Sequence, residues 1–447
     1  MNLGNSNAIA GKPHTSLRTV LASSIVGTAL EWYDFFLYTT AAATVFGPLF
    51  FSRLDGLHAT IAAFATFAAG FIARPLGGVL FGMLGDRLGR KRVLIITLLL
   101  VGISTTLIGL LPPYASIGYA APLLLLLLRI VQGLGAGAEY GGAVLIAAEF
   151  APAGKRGLYA GLPYIGVAIG LLLSTGMFWL VSQLPEADFL SWGWRIPFLL
   201  SVLIVVLGIF LRFRLSETPV FEELAETGGT VRLPLRELLR TNRRELFCAW
   251  GARLGESAAN YIFEAFVIVY VTTQLGMEKS IVLSALLAAA ALQIVTVPFF
   301  ASLTDKVGRK PVYMAGALLT GLFAYPFFWL LDSKSSSLIW FAVIFASAVT
   351  KTMMVAAQPA WLAELFDARV RFTGFALARE VPTPIGGGIA PLAATVLLSM
   401  AGGSPVYVIW YVIGLMAIVF VSLMLAPETY RRSLGPSDGA GPAAQSR

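Results

Sequence analysis

The stretch GMLGDRLGRK, residues 82–91, separates two long apolar runs of the sequence. A shorter copy, TDKVGRK at residues 304–310, follows a later apolar run, and Asp86 and Asp305 are 219 residues apart. A second pattern also occurs twice: a glutamate lies seven positions before an arginine in the pairs Glu149/Arg156 and Glu364/Arg371. These repeats predict that the chain is built from two related halves.

The composition of the chain is that of an integral membrane protein. Of its 447 residues 57% are hydrophobic and 13% charged, and the mean hydropathy is +0.80, whereas soluble domains have about 45–50% apolar and about 25% charged residues. This excludes a soluble globular protein, a disordered chain and, despite a net charge of +8, a nucleic-acid-binding protein. With one cysteine, Cys248, and two histidines, His14 and His58, we expect no intramolecular disulfide, metal site or cofactor. The first apolar run is too long for a cleavable signal peptide.

Twelve apolar runs are long enough to span a membrane, since a helix needs about 20 residues to cross the hydrocarbon core. They are predicted at 20–50, 58–84, 93–112, 119–148, 157–183, 194–214, 246–275, 281–303, 311–331, 337–363, 372–401 and 405–427. The predicted fold is therefore all-α, with twelve transmembrane helices in two pseudo-symmetric six-helix bundles. We expect a cytoplasmic segment (1–19), a first bundle (20–214), a cytoplasmic linker with a short amphipathic helix from Pro219 (215–245), a second bundle (246–427) and a disordered cytoplasmic tail (428–447).

The positions of the basic residues predict the orientation. If the N-terminus is cytoplasmic, most of the 32 Lys and Arg residues fall on the cytoplasmic side, and only four fall outside: Arg53, Arg195, Lys279 and Lys334. The positive-inside rule then places both termini in the cytoplasm, with the chain crossing a bacterial inner membrane. Five basic residues remain within the spans: Arg74, Arg129, Arg253, Lys351 and Arg379.

Several motifs carry a resemblance to a known family. The stretch at 82–91 resembles the signature of the loop between helices 2 and 3 in the major facilitator superfamily. Further motifs are similar to its metabolite:proton symporter branch, which includes permeases for shikimate, α-ketoglutarate, citrate and proline/betaine: EWYDF at 31–35, RPLGG at 74–78, RIVQG at 129–133 and EYGG at 139–142. The resemblance covers about residues 20–430 and implies the major facilitator fold.

Acidic residues in the first span are candidates for proton coupling. Glu31 and Asp34 are three positions apart, so they share one helix face, and two such close carboxylates should not both stay ionised in a low-dielectric site. In related sugar:proton symporters an acid on helix 1 pairs with an arginine on helix 4, and this resemblance implies that Asp34 pairs with Arg129. A permanent structural ion pair is the alternative for that pair, and bracing of the first helix is the alternative for Glu31.

Other polar side chains inside the spans are candidates for substrate binding. A guanidinium group binds a carboxylate in a bidentate manner, so Arg74 and Arg379 are candidates, together with the cation of Lys351. Pairing with Glu31, Asp34, Glu264 or Glu380 is the alternative for these cations, and a local ion pair is expected for Arg253 and Glu256. The remaining candidates, for which simple packing is the alternative, are Tyr33, Tyr38, Gln132, Asn260 and Gln293.

The repeated loop motif predicts a gate. In the superfamily this loop forms a charge lock that closes the cytoplasmic side, and the resemblance implies this role for Asp86, Arg87, Arg90, Glu149, Arg156, Asp305 and Arg309. The alternative is that the loop only holds positive charge inside. Aspartates contribute nothing to a positive-inside signal, which favours the gate.

We therefore predict a secondary active transporter that couples proton entry to uptake of a small organic acid by alternating access. The expected acid is a mono- or dicarboxylate, shikimate-like or aromatic. The alternatives are proton-coupled uptake of a zwitterion such as proline or betaine, and efflux of a drug or metabolite by antiport. The expected partners are the small molecule, protons and the lipid bilayer, and the expected state is a monomer that is not an enzyme.

Overall fold

A computed structural model of the chain describes residues 15–54 and 56–435. Within these residues, twelve helices are long and apolar enough to cross a membrane. We number them α1 to α12 in chain order: Leu17–Phe50, Ile61–Leu88, Arg90–Leu110, Ala120–Glu149, Arg156–Val181, Glu186–Phe213, Arg243–Gln274, Lys279–Val307, Arg309–Asp332, Ser336–Leu365, Arg371–Met400 and Val406–Leu425. The predicted all-α class and the twelve spans are confirmed.

The boundaries differ from the predicted ones mainly at α6. This helix begins at Glu186, because a short turn at Glu186–Asp188 and a π-helical turn at Phe189–Gly193 precede the apolar stretch. Parts of the predicted segments 1–19 and 428–447, including Lys12, His14 and Arg447, lie outside the described residues.

Two short helices lie in the linker between α6 and α7. The expected one covers Pro219–Glu226, and the side chain of Thr218 caps its start by accepting a hydrogen bond from the backbone N–H of Phe221 at 3.3 Å. The second, Pro234–Thr241, was not anticipated and also begins at a proline, a residue that suits the first helical turn.

Several membrane helices contain π-helical turns. Helix α1 has one at Ala42–Phe46, and α7 has two, at Ile262–Phe266 and Tyr270–Gln274. Further turns lie at Ala346–Thr350 in α10, just before Lys351, and at Pro384–Ile389 in α11, where proline and glycine loosen the helix. Such turns are frequent at functional sites.

Within the first half, α2 and α4 approach each other closely through glycines. A Cβ at Gly77 would overlap the carbonyl oxygen of Leu134, and a Cβ at Gly137 would overlap that of Arg74. Small residues allow such close packing between membrane helices. The contact holds Arg74 of α2 and Arg129 of α4 beside the same space.

The two halves meet along two seams, in which α2 packs against α11 and α5 packs against α8 and α10. The connections α2–α3 and α8–α9, which contain the repeated motif, lie at one end of both seams; we call this the loop end. Most of the hydrogen bonds between the halves lie at the loop end, and a deeper one joins Arg74 to Glu380.

Candidate functional site

A central cavity lies between the two halves. One wall is aromatic and comes from α1 and α2: Trp32, Phe35, Phe36 and Phe71. The opposite wall is polar and comes from α7, α10 and α11: Arg253, Glu256, Ser257, Asn260, Glu264, Lys351, Arg379, Glu380 and Thr383. The cavity therefore fits a ligand that has an apolar side and a charged side.

A smaller cavity lies within the first half, between α1, α2 and α4. Its lining includes Glu31, Asp34, Arg129 and Gln132. Three lining residues are shared with the central cavity: Phe35, Phe71 and Arg74. The two spaces are thus neighbours.

Asp34 lies at the centre of a buried network that borders the smaller cavity. The guanidinium of Arg129 is 3.2 Å from Asp34 Oδ2, and the hydroxyl of Thr105 donates to Asp34 Oδ1 at 2.7 Å. Gln132 donates to Asp34 as well, and its own side-chain oxygen accepts from Arg129 at 2.8 Å. Arg129 also lies 4.3 Å from the ring centre of Tyr38. The structure thus brings the predicted pair together, along with Gln132.

Glu31 belongs to a second network, which connects the two halves. It forms a hydrogen-bonded ion pair with Arg74, and Arg74 Nε donates to Glu380 of α11 at 3.0 Å. All three residues are more than nine-tenths buried. Of the two alternatives for Arg74, the structure contains the internal pairing, in which one cation is shared by two carboxylates.

The polar wall contains two further ion pairs of the second half. Glu256 accepts from Arg253, its neighbour on the same helix, and from Gln358 Nε2 at 2.9 Å. Lys351 pairs with Glu264, whose side chain is 38% exposed and faces the cavity. The expected local pair of Arg253 and Glu256 is therefore present.

Arg379 is the cation of this wall with the weakest bonding. Its guanidinium lies over the ring of Tyr140 at 3.7 Å. Its Nε is 3.3 Å from Glu380, yet within the described chain this nitrogen has no hydrogen-bond partner. A buried donor without a partner costs about 1–3 kcal/mol, so a ligand acceptor at this position would be favoured.

The other predicted binding residues have different surroundings. Asn260 lines the central cavity and donates to Glu256. Three others lie outside the described linings of both cavities and are hydrogen-bonded inside their own half: Tyr33 to the carbonyl of Pro197, Tyr38 to Thr66, and Gln293 to the carbonyl of Ser347. The structure does not bring these three to the cavities.

At the loop end, Asp86 connects α2 to the start of α11. Its carboxylate accepts from the backbone N–H of Phe372 and Thr373 at 3.0 and 2.8 Å, and from the Thr373 hydroxyl at 2.7 Å. Arg90 lies 3.6 Å from Asp86 and 3.5 Å from Glu149, which is 3.1 Å from Arg371 of the other half. We call the four charged residues Asp86, Arg90, Glu149 and Arg371 the Asp86 cluster.

The equivalent arrangement connects α8 to the start of α5. Asp305 accepts from the backbone N–H of Gly157 and Leu158 at 2.7 and 2.8 Å and pairs with Arg309 at 2.8 Å. Glu364 pairs at 2.9 Å with Arg309 and also with Arg156 of the first half. We call Asp305, Arg309, Glu364 and Arg156 the Asp305 cluster. Arg87, the remaining predicted gate residue, is exposed.

The sequence analysis missed one repeated element of these clusters. Glu217 accepts from the backbone N–H of Arg90 at 2.9 Å, and Glu428 accepts from that of Lys310 at 3.0 Å. Burial raises the pKa of the Glu217 carboxyl, against the opposing effects of the Thr218 N–H and the Arg90 cation. The available signal was a Glu-Thr pair after each half, at 217–218 and 428–429.

A buried ion pair was missed as well. Arg212 of α6 pairs with Glu139 of α4, and both side chains are about 1% exposed. In the sequence analysis Arg212 counts among the basic residues on the cytoplasmic side, and nothing local distinguishes it from exposed Arg214.

In residues 15–54 and 56–435, no group of three or more His, Cys, Asp or Glu side chains that could hold a metal ion is found.

Comparison with known proteins gives the family. Residues 19–228 match the family "Sugar (and other) transporter", and residues 246–445 match "Major Facilitator Superfamily". The chain is 38% identical to the shikimate transporter of Escherichia coli (strain K12), over 93% of this chain and 95% of that protein. It is 33% identical to the proline/betaine transporter of Salmonella typhimurium, over 96% and 86% of the two chains.

The fold agrees with this. A proton:xylose symporter, XylE, solved with 6-bromo-6-deoxy-D-glucose bound, superposes with a TM-score of 0.72 at 17% identity, over 94% of this chain and 97% of the other. The chain is therefore a member of the major facilitator superfamily, a multi-pass membrane transporter and not an enzyme.

Proposed function

We propose that the protein is a proton-coupled symporter that takes up a small organic acid by alternating access. The observation that carries this proposal is the Asp34 network: a buried carboxylate, bonded to Arg129, Gln132 and Thr105, beside a cavity that adjoins the central one. A charge at membrane depth is costly and marks an ion pathway in many transporters.

The chemistry of proton coupling follows from this network. Ionised Asp34 of α1 holds Arg129 of α4, so the two helices are joined by opposite charges. A proton on Asp34 removes one of these charges and releases Arg129, which still has the ring of Tyr38 beside it. Breaking a buried pair changes the relative stability of two helix arrangements, which is what a coupled carrier needs.

The central cavity supports an organic acid as the substrate. The partly unbonded guanidinium of Arg379 offers a site for a carboxylate. The aromatic wall of Trp32, Phe35, Phe36 and Phe71 offers a surface for a ring or another apolar body. An acid with a cyclic skeleton, shikimate-like or aromatic, matches both walls.

One observation favours a zwitterion as the alternative substrate. The carboxylate of Glu264 is the most exposed of the ion-paired acids in the cavity wall, and aromatic faces attract quaternary ammonium groups. A betaine would place its ammonium between the aromatic wall and Glu264, and its carboxylate at Arg379.

Alternating access would use the two clusters at the loop end. We propose that both termini are cytoplasmic in an inner membrane, so that the loop end is the cytoplasmic side. In this arrangement the Asp86 and Asp305 clusters hold the cytoplasmic side closed, and their opening would release the substrate inside. The central cavity is built within one chain, which fits action as a monomer.

The test is uptake into proteoliposomes with an imposed pH gradient, using shikimate, benzoate, malate, citrate and glycine betaine as the panel. We expect the wild-type protein to accumulate an acid of the panel when the outside is acidic. The Asp34→Asn variant should lose this accumulation completely, because an asparagine side chain cannot bind and release the proton. It should keep the exchange of internal for external substrate.

Asp188→Asn, the same change at an exposed position, is the matched control and should accumulate substrate normally. Accumulation at the wild-type level by Asp34→Asn would contradict the coupling role. Substrate expulsion driven by the same inward proton gradient would contradict uptake and indicate antiport.

A further inference from the structure

The second half contains a buried carboxylate network of the same composition as the Asp34 network. In the first half the carboxylate is on α1, a glutamine (Gln132) on α4 and a hydroxyl (Thr105) on α3. In the second half Glu256 is on α7, Gln358 on α10 and the hydroxyl of Tyr313 on α9. These are the first, fourth and third helices of each half.

The bonds within the two networks also correspond. Gln358 Nε2 is 2.9 Å from Glu256 and 2.7 Å from the Tyr313 hydroxyl, just as Gln132 Nε2 donates to both Asp34 and the Thr105 hydroxyl, the latter at 2.8 Å. Each carboxylate also pairs with one arginine, which lies on the fourth helix of the first half but on the same helix as the carboxylate in the second half. Since Glu256 is 0% exposed, its charge depends on those partners.

The arginine of the second network faces the central cavity. Arg253 lines this cavity and is only 9% exposed. Its Nε has no hydrogen-bond partner among residues 15–54 and 56–435. Arg379, the proposed carboxylate site, lines the same cavity. A substrate anion held there that also reaches Arg253 would therefore compete with Glu256 for the Arg253 guanidinium. Glu256 would then keep only the neutral amides of Gln358 and Asn260.

In the part of the chain that the structure describes, no other charged or titratable group around Glu256 takes over the role of Arg253 as its ion-pair partner. Two neighbouring cations have carboxylate partners of their own: Lys351 pairs with Glu264, and Arg74 with Glu31 and Glu380. The third, Arg379, lies over Tyr140 beside Glu380, and in the proposed function it binds the substrate. The nearby side chains of Tyr313, Tyr140 and Tyr164 are phenols, which are uncharged near neutral pH. A buried carboxylate that loses its cation is strongly destabilised unless it binds a proton.

We propose that Glu256 is a second protonation site, which takes up a proton from the cavity when a substrate anion engages Arg253 and releases it when the substrate leaves. This inference rests on the proposed symport. It predicts that two protons enter with each substrate molecule, one on Asp34 and one on Glu256. The proton binds a carboxylate oxygen of Glu256 as the Arg253 bond breaks, and it returns to water on the other side when that bond forms again.

The experiment measures the equilibrium accumulation of the panel acid that the wild-type protein takes up, at several pH gradients and zero membrane potential. Each coupled proton multiplies the accumulation ratio by about ten per pH unit of gradient. We expect Glu256→Gln to lower the ratio by about tenfold per pH unit, while uptake remains proton-dependent through Asp34. Glu139→Gln, the same change at a buried, arginine-paired glutamate outside both cavity linings, should leave the ratio unchanged.

A second measurement covers the case in which Glu256→Gln fails to fold. In Asp34→Asn protein, calorimetric titration with the same acid in buffers of different ionisation enthalpy should give uptake of about one proton per acid bound. An unchanged accumulation slope in folded Glu256→Gln, or no proton uptake by Asp34→Asn protein, would overturn the inference and leave the symport proposal standing. Wild-type protein that accumulates no panel acid under any gradient would instead overturn the symport proposal, and this inference with it.

Discussion

The two clusters at the loop end have the same bonding plan but differ in their exposure to water. Asp86 is fully buried and lies 3.6 Å from its arginine, whereas Asp305 is partly exposed and lies 2.8 Å from Arg309. The side chain of Arg371 is 2% exposed, and that of Arg156, the equivalent bridge between halves, is 20% exposed. A repeated motif therefore conserves the partners of each charge, while the surrounding packing sets how strongly solvent screens them.

Charge removal at the two aspartates should give the largest contrast. Asp86→Asn weakens three hydrogen bonds to the start of α11 at a fully buried site, and hydrogen bonds to charged groups are worth about 1.5–3 kcal/mol. We expect the population closed at the loop end to fall at least about tenfold, and less in Asp305→Asn. Spin labels at exposed Leu88→Cys and Val307→Cys, in a Cys248→Ser background, report the separation of the halves. Equal shifts in the two variants would contradict the role of burial.

The two arginine bridges, Arg156 and Arg371, should differ in their response to salt, and this effect should be smaller than that of the aspartate substitutions. Raising the KCl concentration from low to molar levels screens a partly exposed pair, worth up to about 1 kcal/mol, more than a buried one. We expect the closed population of the wild-type protein to fall by less than about fivefold with salt. Arg156→Gln should remove most of this dependence, and Arg371→Gln should keep it while opening the loop end at every salt concentration. The same label pair measures both, and an unchanged salt response in Arg156→Gln would exclude this explanation.

The smallest expected effect is a pH dependence at the start of α3. Because burial raises the pKa of Glu217, the protonated form is favoured in the folded state relative to the unfolded one. This contribution to stability is complete below the unfolded pKa of about 4.3 and is lost as the pH rises through the higher folded pKa. The thermal midpoint in detergent should therefore show a shallower pH dependence in Glu217→Gln between neutral pH and the unfolded pKa. Glu428→Gln, at the exposed equivalent position, is the matched control, and an equal change there would show that burial is not the cause.

The sequence predicted the helices better than it predicted the partners of the charges. Twelve spans and the linker helix at Pro219 follow from local hydropathy and from the helix-start preference of proline, so they were within reach of sequence reasoning. The pairing of Asp34 with Arg129 was reached only through a family resemblance. Arg74 was left open between two roles, because nothing in its neighbourhood in sequence indicates that Glu380, 306 residues away, lies beside it.

The aromatic wall was also beyond sequence reasoning. Trp32 and Phe36 look like ordinary apolar residues of a membrane helix, and only the arrangement of the two halves turns them towards a cavity. Tyr33 and Tyr38, which are polar and therefore more conspicuous in the sequence, point instead to Pro197 and Thr66 within the first half.

By itself, the sequence determined that the chain spans a membrane twelve times, that it is built from two related halves, and that charged groups lie at membrane depth. These properties depend on the length, hydrophobicity and repetition of contiguous segments, which are local quantities. The tertiary structure alone decided which carboxylate meets which cation and which side chains line the cavities. Those outcomes depend on how each helix is rotated and on which distant helix packs against it, and a few ångströms of separation decide whether two buried charges stabilise or destabilise the fold.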